Sequence, residues 1–218
     1  MILIPVKDLG KAKQRLGEVL SQEERTLLAQ AMLADVVEAV IGWKQHPPAA
    51  LVTSYPPAAK LARECGFDVI EDRENTGETG AIAMATQVAV ERGATETLVL
   101  PGDMPLLTSA ELEAVYAAAP PQGVVLVPSA DGRGSNAVLR RPAALMPLRF
   151  GNDSFVPHLQ AARATGKEVV VLKLEGIGLD IDTPPDLATL LSFPIRSGAQ
   201  LLLERWKIAD RLTRAQHA

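Results

Sequence analysis

The stretch Leu98-Val99-Leu100-Pro101-Gly102-Asp103-Met104-Pro105 joins an apolar run to an acid held between a glycine and a proline. The apolar part has the composition of a buried strand, and the proline and glycine end it. The sequence therefore places the Asp103 carboxylate on a rigid turn at the end of a strand. In a parallel α/β sheet, ligands bind beyond the carboxyl ends of the strands. Asp103 is therefore a candidate ligand for Mg²⁺. Alternatively, Asp103 caps the helix that starts near Ser109.

Similar apolar runs recur along the chain between segments with helical spacing. Such alternation predicts an α/β fold with a mainly parallel sheet. Besides 97–100, the predicted strands cover 2–6, 50–53, 68–71, 123–127, 136–139 and 168–172. The predicted helices cover 57–65, 80–92, 109–118, 154–165 and 184–191, after a first helix that Ser21 caps and that runs to about Ile41.

The length of 218 residues fits one domain with a single large core. We assign this domain to residues 1–195. Residues 196–218 carry charged and apolar side chains in an amphipathic pattern, which predicts a C-terminal helix. That helix packs either on the domain or on a second subunit, so the sequence leaves a homodimer open.

Composition limits the partners and the compartment. With 22 basic and 26 acidic residues the net charge is −4, so no positive field attracts a nucleic-acid backbone. No apolar stretch reaches the roughly 20 residues that a membrane span requires. The N-terminal apolar run has no basic region before it, unlike a signal peptide, and the single Cys65 agrees with a reducing compartment. These features predict a cytoplasmic protein that binds neither nucleic acid nor membranes.

Four cations lie within nine positions directly after the first predicted strand: Lys7, Lys11, Lys13 and Arg15. Cations and loop amides at a strand end suit a nucleoside triphosphate, because they neutralise its charge and that of the leaving pyrophosphate. A solvated, basic helix start is the alternative. No Walker-type glycine loop is present, which argues against a P-loop NTPase.

A second acidic segment, residues 178–186, contains two aspartates separated by one isoleucine. On an extended backbone, Asp180 and Asp182 point to the same face. Two such carboxylates repel each other unless a cation lies between them, which favours a metal site. Alternatively, Asp182 or Thr183 caps the helix that follows. Asp186 is predicted to be an exposed acid that complements the dipole of that helix.

Two groups of glycine-bearing loops are further candidates for binding. Residues 75–80 precede a helix of small residues, so the amides near Thr79 and Gly80 could approach a base or ribose closely. Residues 131–136 and 149–154 offer amides and hydroxyls for a second anion, with Ser154 at a helix start. Ordinary turns would explain either group equally well.

Together these motifs resemble the guanylyltransferases of coenzyme F-420 biosynthesis, which act on 2-phospho-L-lactate or phosphoenolpyruvate. The resemblance covers almost the whole chain. The matching segments are 4–7, 12–16, 101–105, 134–137, 149–154 and 179–184. The resemblance implies the fold of the molybdenum-cofactor nucleotidyltransferases, a Rossmann-like sandwich related to the glycosyltransferase-A architecture.

The same resemblance implies a set of site residues. Magnesium would be held by Asp103, Asp180 and Asp182. The phosphate and carboxylate of the acceptor would be held by Ser135 or Asn136, Gly151 and Ser154. GTP is the implied donor, for which we assign Lys7, Lys13, Arg15, Thr79 and Gly80.

The predicted reaction is an in-line attack of the acceptor's phosphate oxygen on the α-phosphorus of GTP. Lys13, Asp103 and Asp182 are the predicted catalytic residues, and no protein nucleophile is needed. His158 is predicted to lie on the surface, with contact to the acceptor as the alternative. Alternatives are a cytidylyl- or molybdopterin-type transferase, a sugar-nucleotide-dependent glycosyltransferase, and a nucleotide-binding regulator without turnover.

Overall fold

The computed structural model describes residues 1–74, 77–151, 153–194 and 196–215. In these residues one seven-stranded sheet forms, with strands β1 (Ile2–Pro5), β2 (Ala49–Val52), β3 (Asp68–Ile70), β4 (Thr97–Val99), β5 (Gly123–Pro128), β6 (Ser135–Arg141) and β7 (Glu168–Val171). The strand order is β3-β2-β1-β4-β6-β5-β7. Only β6 runs antiparallel to its neighbours in this sheet, so the predicted, mainly parallel α/β fold is confirmed.

Helices connect and cover the strands. Within the described ranges they are α1 (Gln22–Gly42), α2 (Pro56–Glu64), α3 (Glu78–Glu91), α4 (Ser109–Ala117), α5 (Phe155–Ala164), α6 (Glu175–Gly178), α7 (Pro184–Ser192), α8 (Gly198–Arg205) and α9 (Ile208–Ala215). A helix long and apolar enough to cross a membrane is not found among them. The sequence prediction missed the short α6, because two glycines in four residues give a poor helical signal.

The two faces of the sheet carry separate apolar layers. Ile2 and Ile4 of β1 pack into one layer with α1 and α4, whereas Leu3 between them packs into the other layer with α3 and α5. Successive side chains of a strand point to opposite faces, and helices cover both faces. The central strands β1 and β2 are therefore apolar throughout, and the other strands contain apolar runs that identified them.

The start of α1 was predicted correctly. Ser21 Oγ accepts a hydrogen bond from the Glu24 amide at 3.2 Å, and the Glu24 carboxylate accepts one from the Ser21 amide at 2.8 Å. Two of the unpaired amides at the helix start are thus satisfied. Glu24 also binds Arg211 of α9 at 2.8 Å, so the C-terminal helix contacts the N-terminal half of the chain.

The C-terminal segment contains two helices, so the prediction of one helix over 196–218 is wrong. The chain breaks at Lys207, whose φ is +52°. Leu203 and Ile208 are both fully buried in a third apolar layer that includes residues of α1 and α7. In a continuous helix, residues five positions apart point about 140° away from each other. The break lets both side chains reach this core.

The helix α6 brings the second acidic segment next to Asp103. A Cβ at Gly176 would lie 2.2 Å from the Leu106 carbonyl oxygen, so only glycine fits this contact. The Gly176 amide donates to Glu111 of α4 at 2.7 Å. Further along, the Ile181 amide donates to the Asp103 carbonyl at 3.2 Å. Residues 179–183 are consequently fixed against the loop that follows β4.

Candidate active site

Two adjoining cavities lie at the carboxyl ends of the parallel strands. The first has a volume of about 320 Å³ and contains the predicted acceptor residues Ser135, Asn136, Gly151 and Ser154, together with Arg15, Asp103, Asp180 and Asp182. The second has a volume of about 520 Å³ and contains Lys7, Lys11 and Lys13, again with Asp103 and Asp182. Asp103 and Asp182 therefore lie where a cavity with three lysines meets a cavity lined by hydroxyls, an amide, further carboxylates and two arginines.

Lys13 lies between two of the predicted metal ligands. Its Nζ donates to Asp103 Oδ2 at 2.6 Å and to Asp182 Oδ1 at 2.9 Å. Burial alone would lower the pKa of Lys13, but the two carboxylates raise it well above its ordinary value. Lys13 has a φ of +54°, a left-handed conformation that a residue with a side chain rarely adopts. The loop thus holds the ammonium group against the two acids, although the left-handed backbone conformation of Lys13 costs free energy.

Asp182 is held by both its side chain and its backbone. Burial alone would raise the pKa of Asp182, but the charge and hydrogen bond of Lys13 keep it below its ordinary value. Asp186 Oδ2 accepts hydrogen bonds from the Asp182 amide at 3.0 Å and the Thr183 amide at 2.7 Å. The prediction that Asp186 is an exposed acid is wrong, because these bonds hold it half-buried at the start of α7. Asp186 therefore fixes the backbone of a predicted catalytic residue.

Asp180 is positioned by the neighbouring strand β6. Asn136 Nδ2 donates to Asp180 Oδ1 at 2.9 Å and to the Ile177 carbonyl at 2.8 Å. Burial and the nearby negative charge of Asp103 raise the pKa of Asp180 to about 6. Asn136, predicted as an acceptor ligand, therefore also orients an acid of the predicted metal site.

The fit of this site to magnesium rests on its carboxylate oxygens. Asp103 Oδ1 is buried and accepts no hydrogen bond from any described residue. A buried carboxylate oxygen without a donor suits a hard cation such as Mg²⁺. As the side chains lie, no three His, Cys, Asp or Glu residues in the described ranges form a metal-binding group. Lys13 neutralises Asp103 and Asp182 in this arrangement, and the magnesium site stays a prediction.

Glu78 is a site residue that the sequence analysis missed. It lies in the first turn of α3 and lines the same cavity as Asp103. Burial and the negative charge of Asp103 raise the pKa of Glu78 to about 7. The sequence prediction for loop 75–80 concerns its amides and not the Glu78 side chain. Asn75 and Thr76 of that loop lie outside the described residues. A glutamate after a glycine is common at helix starts, so no local pattern distinguishes Glu78 as a site residue.

Thr79 and Gly80, predicted to approach the nucleotide, both lie inside the first turn of α3. Thr79 Oγ1 donates to the Phe150 carbonyl at 3.3 Å and accepts from the Phe150 amide at 3.0 Å. The side chain of Thr79 is thus engaged with the loop that precedes α5. Its nucleotide role remains a prediction.

The predicted acceptor residues come together from two parts of the chain. The Ser135 amide at the start of β6 donates to Ser154 Oγ, just before α5, at 3.0 Å. Gly151 has a φ of +126°, and a Cβ there would meet no atom within 4 Å. Glycine at this position is therefore required by backbone conformation and not by crowding.

His158 lies beneath these residues and is 1% exposed, so the prediction that it lies on the surface is wrong. Its Nε2 accepts a hydrogen bond from the Arg149 amide at 2.9 Å, and its Nδ1 lies 2.9 Å from Ser135 Oγ. The Phe150 ring packs edge-on against the imidazole at 5.1 Å between centroids. Burial, together with the positive charge of Arg140, lowers the pKa of His158 to about 4. The folded protein therefore holds a neutral imidazole.

Because His158 is neutral in the folded protein, we expect the free energy of unfolding to depend on pH. Below pH 6.5 the unfolded chain takes up a proton at His158 that the folded protein does not bind, so the free energy of unfolding falls until about pH 4. Between pH 6.5 and pH 5 we expect a loss of about 1.5 kcal/mol. Urea unfolding at both pH values measures it, and the His158→Asn variant should lack this part of the slope. Identical slopes in the two proteins would show that folding does not lower the pKa of His158.

The fold is that of solved nucleotidyltransferases of the α/β class. A solved nucleotidyl transferase from Methanothermobacter has the same fold, with a TM-score of 0.61 and 16% identity, covering 87% of this chain and 94% of that one. At this identity the likeness concerns the fold alone.

Sequence relatives define the family. The chain belongs to the family described as guanylyl transferase CofC like, which matches residues 1–205. It is 37% identical to a phosphoenolpyruvate guanylyltransferase of Rubrobacter xylanophilus, over 86% of this chain and 91% of the relative. It is 33% identical to a 2-phospho-L-lactate guanylyltransferase of Methanothermobacter thermautotrophicus, over 87% of this chain and 82% of the relative. The resemblance inferred from the sequence motifs is confirmed.

Proposed function

We propose that this protein transfers GMP from GTP to a small phosphorylated carboxylic acid, releasing pyrophosphate, as a step of coenzyme F-420 biosynthesis. Phosphoenolpyruvate and 2-phospho-L-lactate are the proposed acceptors, because relatives of both names match the chain. The observation that supports the proposal best is the Lys13 bridge to Asp103 and Asp182 at the junction of the two cavities. The single free cysteine supports a cytoplasmic setting.

The charges of the two cavities suggest how the substrates divide. The larger cavity has Lys7, Lys11 and Lys13 on one side, which suits the triphosphate of the donor. The smaller cavity contains Ser135 and Ser154, whose hydroxyls suit the anionic groups of the acceptor. Because the cavities share Asp103 and Asp182, we place the reacting phosphorus atom at their junction.

The proposed chemistry needs no protein nucleophile. An oxygen of the acceptor phosphate forms a bond to the α-phosphorus of GTP, and the bond from that phosphorus to the bridging oxygen of the β-phosphate breaks. The electron pair leaves with pyrophosphate. A phosphate monoester is already anionic near neutral pH, so no general base is required. Lys13 and Arg15 would stabilise the leaving pyrophosphate, and the bound acids would be aligned by the loops around Ser135 and Ser154.

Magnesium would be held by Asp103, Asp180 and Asp182, and would supply positive charge that neutralises phosphate oxygens. The chain's own contribution is to orient these acids. Asn136 orients Asp180, and Asp186 fixes the backbone of Asp182. Lys13 compensates the charge of Asp103 and Asp182.

Pyrophosphate release tests the proposal directly. GTP is mixed with phosphoenolpyruvate, 2-phospho-L-lactate or 3-phosphoglycerate, and each acid is then repeated with CTP, ATP and UTP. We expect release with GTP and with one of the first two acids. Release only with CTP would indicate a cytidylyltransferase instead. Tight GTP binding by calorimetry without release for any acid would indicate a nucleotide-binding regulator.

Arg15→Ala is expected to raise the KM for GTP about tenfold and to change the KM for the acceptor much less. Arg15 lines the smaller cavity, but its charge acts on Asp182 at the junction of the two cavities, where we place the reacting phosphorus of GTP. Losing a hydrogen bond to a charged group there costs about 1.5 kcal/mol. Arg63→Ala on the outer face of α2 is the matched control, since Arg63 is exposed and remote from both cavities. Equal GTP constants for Arg15→Ala and the control would remove Arg15 from the donor site.

A further inference from the structure

The tautomer of His158 is determined by its two neighbours. A backbone N–H can only donate, so Nε2, which faces the Arg149 amide at 2.9 Å, must be the unprotonated nitrogen. In a neutral imidazole the proton then lies on Nδ1. Nδ1–H consequently donates to Ser135 Oγ, 2.9 Å away.

This hydrogen bond determines what the Ser135 hydroxyl can do. Its oxygen accepts from His158, and its own proton has no other hydrogen-bond partner in the described part of the chain. Ser135 is 4% exposed and lines the smaller cavity. The hydroxyl proton is therefore available to donate into the cavity, where an anion would accept it.

The imidazole ring is locked in this orientation. The Phe150 ring packs edge-on against it with an interplanar angle of 69°, and the Phe150 backbone is held in turn by Thr79. Burial and the Arg140 charge keep the imidazole neutral, with a pKa of about 4, so this orientation does not change between pH 6 and 8.

We infer that His158 is a positioning residue, which acts through its Nδ1–H to fix the Ser135 hydroxyl as a hydrogen-bond donor to the bound phosphorylated acid. This inference rests on the proposed function, because the acid is the proposed acceptor. His158 itself touches neither substrate. Its effect should appear in acceptor binding and only through Ser135.

Two substitutions separate the two nitrogens of His158. In His158→Asn the side-chain amide can take the place of Nδ1 and still donate to Ser135, but the acceptor for the Arg149 amide is lost. In His158→Gln the longer amide reaches the place of Nε2 and keeps the Arg149 bond, but the donor to Ser135 is lost. We expect His158→Gln to raise the KM for the acceptor about tenfold, and His158→Asn less than threefold. The KM for GTP should stay within twofold in both.

A double-mutant cycle then tests whether His158 acts through Ser135. Ser135→Ala should raise the acceptor KM about as much as His158→Gln, and the double variant should be no worse than Ser135→Ala alone. The inference would be overturned if the increases in acceptor KM from the two substitutions multiplied in the double variant. It would also be overturned if His158→Asn raised the acceptor KM as much as His158→Gln. Wild-type enzyme is assayed alongside: absence of pyrophosphate release with any acid would count against the proposed function instead.

A measurement on the unmutated protein keeps the inference testable if a variant fails to fold. Long-range ¹H–¹⁵N correlation spectra of histidine-labelled protein at pH 7 report which ring nitrogen carries the proton. We expect His158 to be the Nδ1–H tautomer in the free enzyme and in the presence of phosphoenolpyruvate. An Nε2–H tautomer or a doubly protonated ring would overturn the inference.

Discussion

Asp103→Asn is expected to lower kcat by two to three orders of magnitude while leaving the unfolding temperature close to that of the wild type. The amide preserves the size of the side chain but removes the negative charge next to Lys13 and at the proposed magnesium site. Removing one group that stabilises charge in a transition state commonly costs about 10² to 10³ in rate. The Ile181 amide binds the backbone carbonyl of residue 103, so this contact of the loop survives the substitution.

Initial rates of pyrophosphate release at saturating substrates measure the effect. Asp68→Asn is a suitable control, because Asp68 is an exposed acid on the outer strand β3 with an arginine partner of its own, Arg92. We expect the control to keep wild-type kcat. Activity of Asp103→Asn near that of the control, at saturating magnesium, would mean that this carboxylate binds neither metal nor substrate.

Lys13→Met is expected to remove most turnover and also to destabilise the protein without ligand. Its ammonium group bridges Asp103 and Asp182 at 2.6 and 2.9 Å, and its side chain is 9% exposed. Methionine fills a similar volume but leaves two like charges facing each other. Breaking a fully buried ion pair costs about 3–5 kcal/mol, and the partial exposure of both acids lowers our expectation to about 2 kcal/mol.

For Lys13→Met, kcat should fall at least 100-fold, as for other groups that stabilise transition-state charge. Chemical unfolding with and without magnesium separates the two roles of Lys13, since a cation bound to the acids should restore part of the lost stability. Lys60→Met is the control, because Lys60 is 75% exposed on α2. If Lys13→Met matched this control in both measurements, the Lys13 bridge would contribute neither to turnover nor to stability.

The strands and the position of Asp103 could be predicted from the sequence, because each depends on neighbouring residues. A buried parallel strand is a short apolar run, and an acid directly after it lies at the sheet edge wherever the strand is placed. This local logic predicted the seven strands to within two residues and placed Asp103 at the edge of the sheet. Asp180 and Asp182 reach the same cavity through α6, which the sequence prediction missed.

The missed features depend on partners far apart in the chain. His158 binds a serine 23 positions away, Thr79 binds a backbone 71 positions away, and Lys13 binds an acid 169 positions away. No local pattern distinguishes such a histidine from one on the surface. The sequence placed Lys13 in a loop of the predicted site, but its contact with Asp103 and Asp182 could be seen only in the folded structure.

Because β6 runs antiparallel to β5, residues 129–134 form a short hairpin loop at the active-site edge of the sheet. A connection between parallel strands must cross the sheet, usually through a helix, whereas residues 129–134 leave β5 and enter β6 at the same edge. Ser129 Oγ accepts from the Gly134 amide at 2.7 Å and so closes this loop on itself. The Ala130 amide donates to the Gly178 carbonyl at 2.8 Å, so this end of the loop is tied to the segment that contains Asp182. Changes at residues 131–133 would therefore alter the proposed acceptor cavity without moving β4.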